Sequence, residues 1–392
     1  MNGKLLRVSL KHALCCFVGF AFLTMVSSCG SSGSEKKAEA EKYVPELVIR
    51  DSMIIDRLTK PIMVDVKSDH SEFLFYDFKT SEFFRISKSG ELLNTANLTG
   101  DGRNTIQSTY FVGAKYGGNN EIVIQTMTAT YTYDLDFQLK NKVTSDFSLV
   151  LPRVGGSRGF ETYGDYIYTF SLDEKDRSTE LMQSKNFSNS YPFITLRDSQ
   201  TFNIVESDSV PATSYVAKNP GQYLDLDPIV KFSGNEMFVL FPNSPEMYVY
   251  NFPSLKLKDQ WDLNPENAYR QMEPSTSVGE NNANQSLTAG RYQNFVFSND
   301  YLLTSYQGAA PQDEVDDLAN YEKGGDEYKA LVKKYRSMPH YQLFEGKNKV
   351  WEGQWDIKLS MLRDVIFAFS KPGEDPSAFE KDVQTIYFYE LK

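Results

Sequence analysis

Three carboxylate groupings are the residues of this chain that could do acid–base work: Asp134 with Asp136, Asp225 with Asp227, and Asp313, Glu314, Asp316 and Asp317. Glycoside hydrolysis needs little more than two carboxyl groups flanking one bond, so such pairs are its minimum equipment. Asp134 and Asp136 fall between two strands, where Asp is ordinary turn chemistry. The Asp313 group reads as the solvated start of a helix, its charges favoured by the dipole. Asp225 and Asp227 lie in a long loop just before an inner strand and make the better pair. No grouping has the Asp-x-Asp-x-Asp-Gly spacing of a calcium loop.

Other chemistry is poorly equipped. Beyond the leader the histidines are His70 and His340, one on a short turn and one at a strand start, which suggests neither a triad nor a two-histidine zinc site. Gly100-Asp101-Gly102 lacks Walker spacing and a following helix. No metal or cofactor is expected. The long loops do carry aromatic rings at Tyr191, Tyr215, Tyr223 and Tyr269, with Arg270 beside the last. Flat rings with a basic neighbour suit stacking on a sugar or peptide. These five residues, with Asp225 and Asp227, are the candidate ligand contacts. A binding protein is thereby favoured, a carboxylate-dependent glycan enzyme is the alternative, and no residue is assigned a catalytic role.

The elements that must position these residues follow one grammar. In Glu121 to Val143 (EIVIQTMTATYTYDLDFQLKNKV) an apolar strand, a turn, a strand alternating Tyr131 with Tyr133, a second turn and a third strand follow in order. Alternating β-branched and aromatic residues between polar turns mark short antiparallel strands. The pattern returns at Phe73 to Ile86, Asp165 to Leu196, Met237 to Asn251, Asp300 to Phe344 and Asp364 to Leu391. Six copies predict an all-β, six-bladed β-propeller over residues 43 to 392. The last copy ends on its third strand, and Glu46 to Leu58 precedes the first blade without a place in it. The ring is therefore expected to close with strands from both termini, which leaves no open edge.

Phe73, Ile122, Tyr166, Met237, Tyr301 and Val365 mark equivalent strands, at intervals of 49, 44, 71, 64 and 64 residues. Propeller repeats run about 40 to 50 residues, so blades three to six carry insertions. Within each blade the turns joining strands one to two and three to four share a face of the disc. These are short (Lys67 to Ser71, Gly117 to Asn120, Ser233 to Asn235). The other face receives Leu172 to Tyr191, Pro211 to Asp227, Asn264 to Gly290, Gln307 to Pro339 and Lys371 to Asp382, and loops on a rigid scaffold commonly carry binding residues. One insertion, about residues 311 to 337 in blade five, predicts two helices. Pro311 opens the first, and Asp326 caps a second with Tyr328, Leu331, Val332 and Tyr335 along one face.

The address is written at the start of the chain. Residues 1 to 28 have a basic end (Lys4, Arg7, Lys11), an apolar stretch from Ala13 to Met25 and small residues before Cys29, the pattern of a secretory signal. Val26 to Gly30 reads as a bacterial lipobox that would place acyl chains on Cys29, with residues 29 to 42 as a solvated tether. The expected partner is a membrane, through that anchor. The location is the cell envelope, with the outer membrane expected and its two faces both open. The other cysteines, Cys15 and Cys16, lie in the leader, so the propeller has no internal disulfide to draw on. The formal charge of −11 argues against nucleic acid, which needs a basic footprint. An envelope protein, a peptide or a glycan on the loop-rich face remains as a further partner.

The lipobox at Cys29, with Ile86 to Leu93 (ISKSGELL) and Gly100 to Ile106 (GDGRNTI), resembles the uncharacterised six-bladed β-propeller lipoproteins of double-membraned anaerobic bacteria, a domain of unknown function. The resemblance implies the same fold over the whole mature chain and no catalytic residues.

Overall fold

The computed structural model describes residues 44–107, 111–144, 159–170, 184, 186–275, 287–318, 325–373 and 383–392, with Val44 to Lys392 as one compact unit. Cys29, the leader and the tether lie outside the described residues, as do segments 171–183, 276–286, 319–324 and 374–382 of the insertions.

Six four-stranded antiparallel sheets form the blades. The first strand of the chain, β1 (Leu47–Ile55), is held for last. Blade one is β2 (Ile62–Val66), β3 (Glu72–Asp77), β4 (Glu82–Ser87) and β5 (Leu92–Asn97), and blade two is β6 (Phe111–Tyr116), β7 (Glu121–Thr126), β8 (Ala129–Asp134) and β9 (Leu139–Thr144). Blade three is β10 (Phe160–Tyr163), β11 (Tyr166–Thr169), β12 (Ile194–Asp198) and β13 (Ile204–Asp208), and blade four is β14 (Ile229–Ser233), β15 (Glu236–Leu240), β16 (Glu246–Asn251) and β17 (Lys256–Asp262). Blade five is β18 (Arg291–Ser298), β19 (Tyr301–Gln307), β20 (His340–Glu345) and β21 (Asn348–Gly353). Blade six contains β22 (Ser360–Leu362), β23 (Val365–Ala368) and β24 (Gln384–Leu391), and β1 completes it, pairing with β24 from Leu47 opposite Leu391 to Ile55 opposite Gln384. The terminal strands thus close the ring as the sequence predicts. The innermost strand of blade six starts only at Ser360, and Ile357 and Leu359 just before it pack between blades five and six.

Each blade is apolar on both faces and buries them against its neighbours. One cluster of buried side chains fills each of the six junctions, for example Leu74, Phe83, Ile122 and Tyr131 between blades one and two. Trp351 and Trp355, with ring centroids 4.4 Å apart, belong to the junction of blades five and six. The outermost strand of every blade is bulged at one equivalent place, where Leu93, Lys140, Val205, Lys258, Val350 and Arg50 are skipped in the register. A bulge sharpens the local twist, and strands at the rim of the disc need the most.

The first turn of each blade holds one residue in the left-handed region: His70 (φ 57°), Asn120 (53°), Gly164 (57°), Gly234 (55°), Asn299 (54°) and Arg363 (50°). Gly and Asn tolerate this conformation, whereas a side chain such as that of Arg363 costs about 1 kcal/mol there.

The loop-rich face holds four described helices: α1 (Phe187–Ser190), α2 (Tyr215–Lys218), α3 (Gln312–Asp316) and α4 (Asp326–Arg336). The last two form the blade-five insertion. Leu331 of α4 meets Val315, Leu287 and Ala310, with Tyr328, Val332 and Tyr335 packed around them. Gly325 occupies the cap of α4 and Asp326 is its first residue, where its charge still meets the dipole. Among the described residues no helix is long and apolar enough to cross a membrane.

Candidate functional site

The innermost strands point one side of their pleat into the central channel, and four of them carry a single charge there amid apolar neighbours. They are Asp65 on β2 (IMVDV), Lys115 on β6 (FVGAKY), Glu161 on β10 (FETY) and Lys231 on β14 (IVKFS), all at most 5% exposed. Around the ring the sign alternates. Blade five contributes Phe297 instead of a charge, and blade six contributes Arg363 from its strained first turn.

Burying charges is costly unless they are paired, and most of this ring is. Lys115 Nζ lies 3.1 Å from Glu161 Oε2 and 3.7 Å from Asp65 Oδ1. Arg363 grips Asp65 with Nε to Oδ1 at 3.0 Å and Nη2 to Oδ2 at 2.7 Å, and donates from Nη2 to the Tyr116 carbonyl at 2.8 Å. The Tyr116 amide donates to Asp65 Oδ2 at 2.7 Å. Burial alone would push the Asp65 carboxyl up, but Arg363 and Lys115 outweigh it and hold that carboxyl below its ordinary value. Burial likewise works against the Arg363 charge, and Asp65 and Glu161 raise its pKa overall.

Lys231 is different. Its Nζ has no hydrogen-bond partner among the described residues. Burial lowers its pKa to about 8, with Glu161 and Asp65 acting in the opposite sense.

A cavity of about 370 Å³ opens beside these groups on the face with the short turns. That is within the size range of small-ligand sites, roughly 300–1,000 Å³. Lys231, Glu161, Arg363 and Asp364 supply its charges, and Tyr163, Phe232 and Phe297 its apolar wall. Tyr163 stacks on Phe232 with centroids 5.0 Å apart, and its hydroxyl donates to the Gly234 carbonyl at 3.0 Å. At the rim His70 Nε2 sits 2.8 Å from Asp364 Oδ1. A smaller hollow of about 110 Å³ adjoins, sharing Asn299 and Asp364.

The sequence-derived candidates are distributed quite differently. Tyr191 is a core residue with no exposure, its ring against Phe170, Phe187 and Phe193, and this corrects its assignment as a surface contact. The loop reading fails there because α1 folds down over the blade three to four junction and carries Tyr191 with it. Tyr223 donates its hydroxyl to the Asn219 carbonyl at 2.5 Å. Tyr215 bonds Glu273, and its hydroxyl is pushed up to about 12, first by burial and then by that carboxylate. Asp225 pairs with Arg291 at 2.6 Å, and Asp227 is buried at 2% exposure. Asp225 and Asp227 therefore do not face one solvent-filled cleft as a catalytic pair must. Tyr269 lies against Tyr292 and Tyr306, while Arg270 is exposed and reaches Gln312 Oε1 at 3.5 Å. Most of these groups hold the insertions to the disc.

Two buried acids do the same work from the strands. Glu246 Oε2 accepts the Tyr215 amide at 2.9 Å, the Ser244 hydroxyl at 2.5 Å and the Tyr248 hydroxyl at 2.6 Å. Glu352 Oε1 accepts the Glu266 and Asn267 amides, both at 2.7 Å, and the Tyr306 hydroxyl at 2.6 Å, while Oε2 meets Lys349 Nζ at 2.8 Å. His340 stacks on Tyr306 with centroids 5.2 Å apart, far in the fold from His70 at the opposite face.

The channel residues were missed in sequence because each looks like the polar member of an alternating strand. The available signal is a lone charge on the first strand of successive blades, alternating in sign, a few residues before the left-handed turn residue.

Neither a protein-family model nor a curated protein matches this sequence. Solved structures do. The chain is similar to a member of the DUF4221 family from Bacteroides vulgatus ATCC 8482, with a TM-score of 0.61 and 9% identity over 90% of this chain and 99% of that one. It is also similar to a protein of Bacteroides fragilis NCTC 9343 described as exported, with a TM-score of 0.51 and 12% identity over 90% of this chain and 96% of that one. At such identities the likeness is one of fold, the six-bladed propeller of an uncharacterised domain.

Proposed function

We propose that this protein is an envelope lipoprotein, tethered through Cys29, whose propeller binds a small ligand in the mouth of its central channel on the short-turn face. The observation that carries the reading is the cavity of about 370 Å³ where charges from three blades converge beside an aromatic wall. A binding site of this kind needs concavity, apolar surface and a few placed polar groups, and the mouth supplies all three. The leader and lipobox support the address, and the fold-level likeness to a protein described as exported agrees with it. Glycan hydrolysis is disfavoured at this site: the buried carboxylates in and beside it, Glu161 and Asp65, have Lys115 between them, and Arg363 grips Asp65. A general acid needs the opposite environment, one that keeps its proton on.

Two measurements test the reading. Labelling of cells with an alkyne fatty acid should mark the wild type and not Cys29→Ala. Native mass spectrometry of residues 44–392, exposed to the small-molecule fraction of an envelope extract, should show an adduct that Ser68→Trp, a plug at the cavity wall, abolishes. Identical adducts on both proteins would move the site elsewhere.

A further inference from the structure

The charge ring does not balance. Among the described residues, and leaving aside Asp364 at the rim, the channel sets Asp65 and Glu161 against Lys115, Lys231 and Arg363, which leaves one cation in excess inside it. Geometry identifies the unmatched one. Arg363 is held by Asp65 at 2.7 Å, and Lys115 bridges Asp65 and Glu161. Lys231 has Glu161 on one side, already engaged 3.1 Å from Lys115, and on the other the uncharged Phe297 of blade five. Its Nζ is buried and unpartnered among the described residues, and the residue that carries it forms part of the cavity wall. Asp364, the remaining charge on the wall, is turned to His70 at 2.8 Å and is half exposed. A buried ammonium without a partner is unfavourable, and an anion entering the cavity supplies the partner.

We propose that the mouth takes a small organic monocarboxylate, its carboxylate seated on Lys231 Nζ and its body against Tyr163, Phe232 and Phe297. This rests on the reading of the mouth as a ligand site. A single excess charge matches one carboxylate. A phosphate dianion would overbalance it and meet Glu161 and Asp364 on the same wall. The aromatic side of the cavity wants an organic body, which inorganic anions lack. The carboxylate can come from an aromatic acid, a peptide C-terminus or an acidic sugar, and the body it carries decides among them.

The test titrates residues 44–392, a closed unit, by calorimetry with benzoate, N-acetylalanine and glucuronate, each beside its uncharged counterpart (benzamide, N-acetylalaninamide, glucose), and with inorganic phosphate. At least one acid should bind tenfold or more tightly than its counterpart, and Lys231→Met should erase that preference while Lys231→Arg keeps most of it. Lys231→Met replaces a buried cation by an apolar chain of similar length, so it should fold, and circular dichroism checks that it does. Equal binding of acid and counterpart, a preference that survives Lys231→Met, or phosphate outcompeting every acid would each overturn the proposal. So would an envelope adduct lost in Ser68→Trp that carries no carboxylate, and in that case the mouth remains a ligand site. Absence of any adduct and of any acid binding would overturn both readings together.

Discussion

Arg363 and Asp65 stand 298 positions apart and meet in a two-pronged ion pair, Nε to Oδ1 at 3.0 Å and Nη2 to Oδ2 at 2.7 Å, across the seam between the last blade and the first. From the same Nη2 Arg363 also reaches the Tyr116 carbonyl in blade two, at 2.8 Å, and the Thr162 hydroxyl in blade three, at 3.4 Å. One side chain on a strained turn thus braces four blades at the channel. Asp65 has no exposure, so its charge depends on Arg363 and Lys115 for compensation.

Removing the guanidinium should therefore cost more than a surface ion pair would. Arg363→Ala is expected to lower unfolding stability by about 3 kcal/mol, the range for stranding one member of a buried pair. Arg363→Gly should recover about 1 kcal/mol of that through relief of the left-handed backbone, and Asp65→Asn combined with Arg363→Met should recover more. Urea unfolding of the four proteins checks the order. Equal stability of wild type and Arg363→Ala would show the pair to be idle.

Lys231 predicts a change of the opposite sign. Its folded pKa of about 8 lies below the ordinary 10.5, so between these values the unfolded chain binds more protons and stability rises with pH. Below pH 8 the whole cost of the buried ammonium is present, on the order of 3 kcal/mol for such a shift. Lys231→Met should accordingly be more stable than wild type at pH 7, and the gap should close between pH 8 and 10.5. Thermal melts at pH 7, 8.5 and 10 read the difference. A variant destabilised at pH 7 would mean that the ammonium has a partner.

The contrast between Arg363 and Tyr191 shows what a sequence can and cannot convey about this fold. The period of alternating strands, the orphan N-terminal strand and the apolar face of α4 are local or end-to-end patterns, and they read correctly. Tyr191 sits in a long connection and looks like a loop ring. Nothing local says that α1 tucks it beneath Phe170 and Phe193. Arg363 and Asp65 look like turn and strand polarity until the ring closes. The same holds for the skipped residues such as Lys140 and Lys258, because a bulge exists only relative to the strand opposite. Side chains facing the channel are decided by the curvature of the whole disc, which no window of sequence contains.

On the other face Glu352 should act as an acid-sensitive latch for the connection from Asn264 onward. Burial tends to raise its pKa, but Lys349, Tyr306, Gln342 and the Asn267 amide together hold it at about 2 against an ordinary 4.5. A depressed carboxyl contributes stability that is complete above 4.5 and lost as pH falls through 2. Glu352→Gln should be less stable than wild type at neutral pH by about 2–3 kcal/mol, with the gap narrowing below pH 4.5. Hydrogen exchange at the Glu266 and Asn267 amides should accelerate in the variant. A gap constant from pH 7 to 3 would exclude a role for the carboxylate charge.

The closing strand makes the last prediction. β1 supplies the outer edge of blade six, and its Met53 and Ile55 are buried at the junction with blade one. Its entry is pinned further by Glu46 and Lys392, whose amides and carbonyls exchange bonds at 3.2 and 3.0 Å, and by Trp355 Nε1 donating to the Pro45 carbonyl at 3.1 Å. Deleting residues 44–58 would bare β24 as a free edge and uncover Ile386, a residue with no exposure in the intact ring. An uncapped edge recruits other strands. The shortened chain should therefore melt at lower temperature than the intact protein and elute as larger species on size exclusion, and adding residues 44–58 as a separate peptide should restore the elution of the intact ring. A deletion that elutes and melts like the intact protein would show that the ring closes without its N-terminal strand.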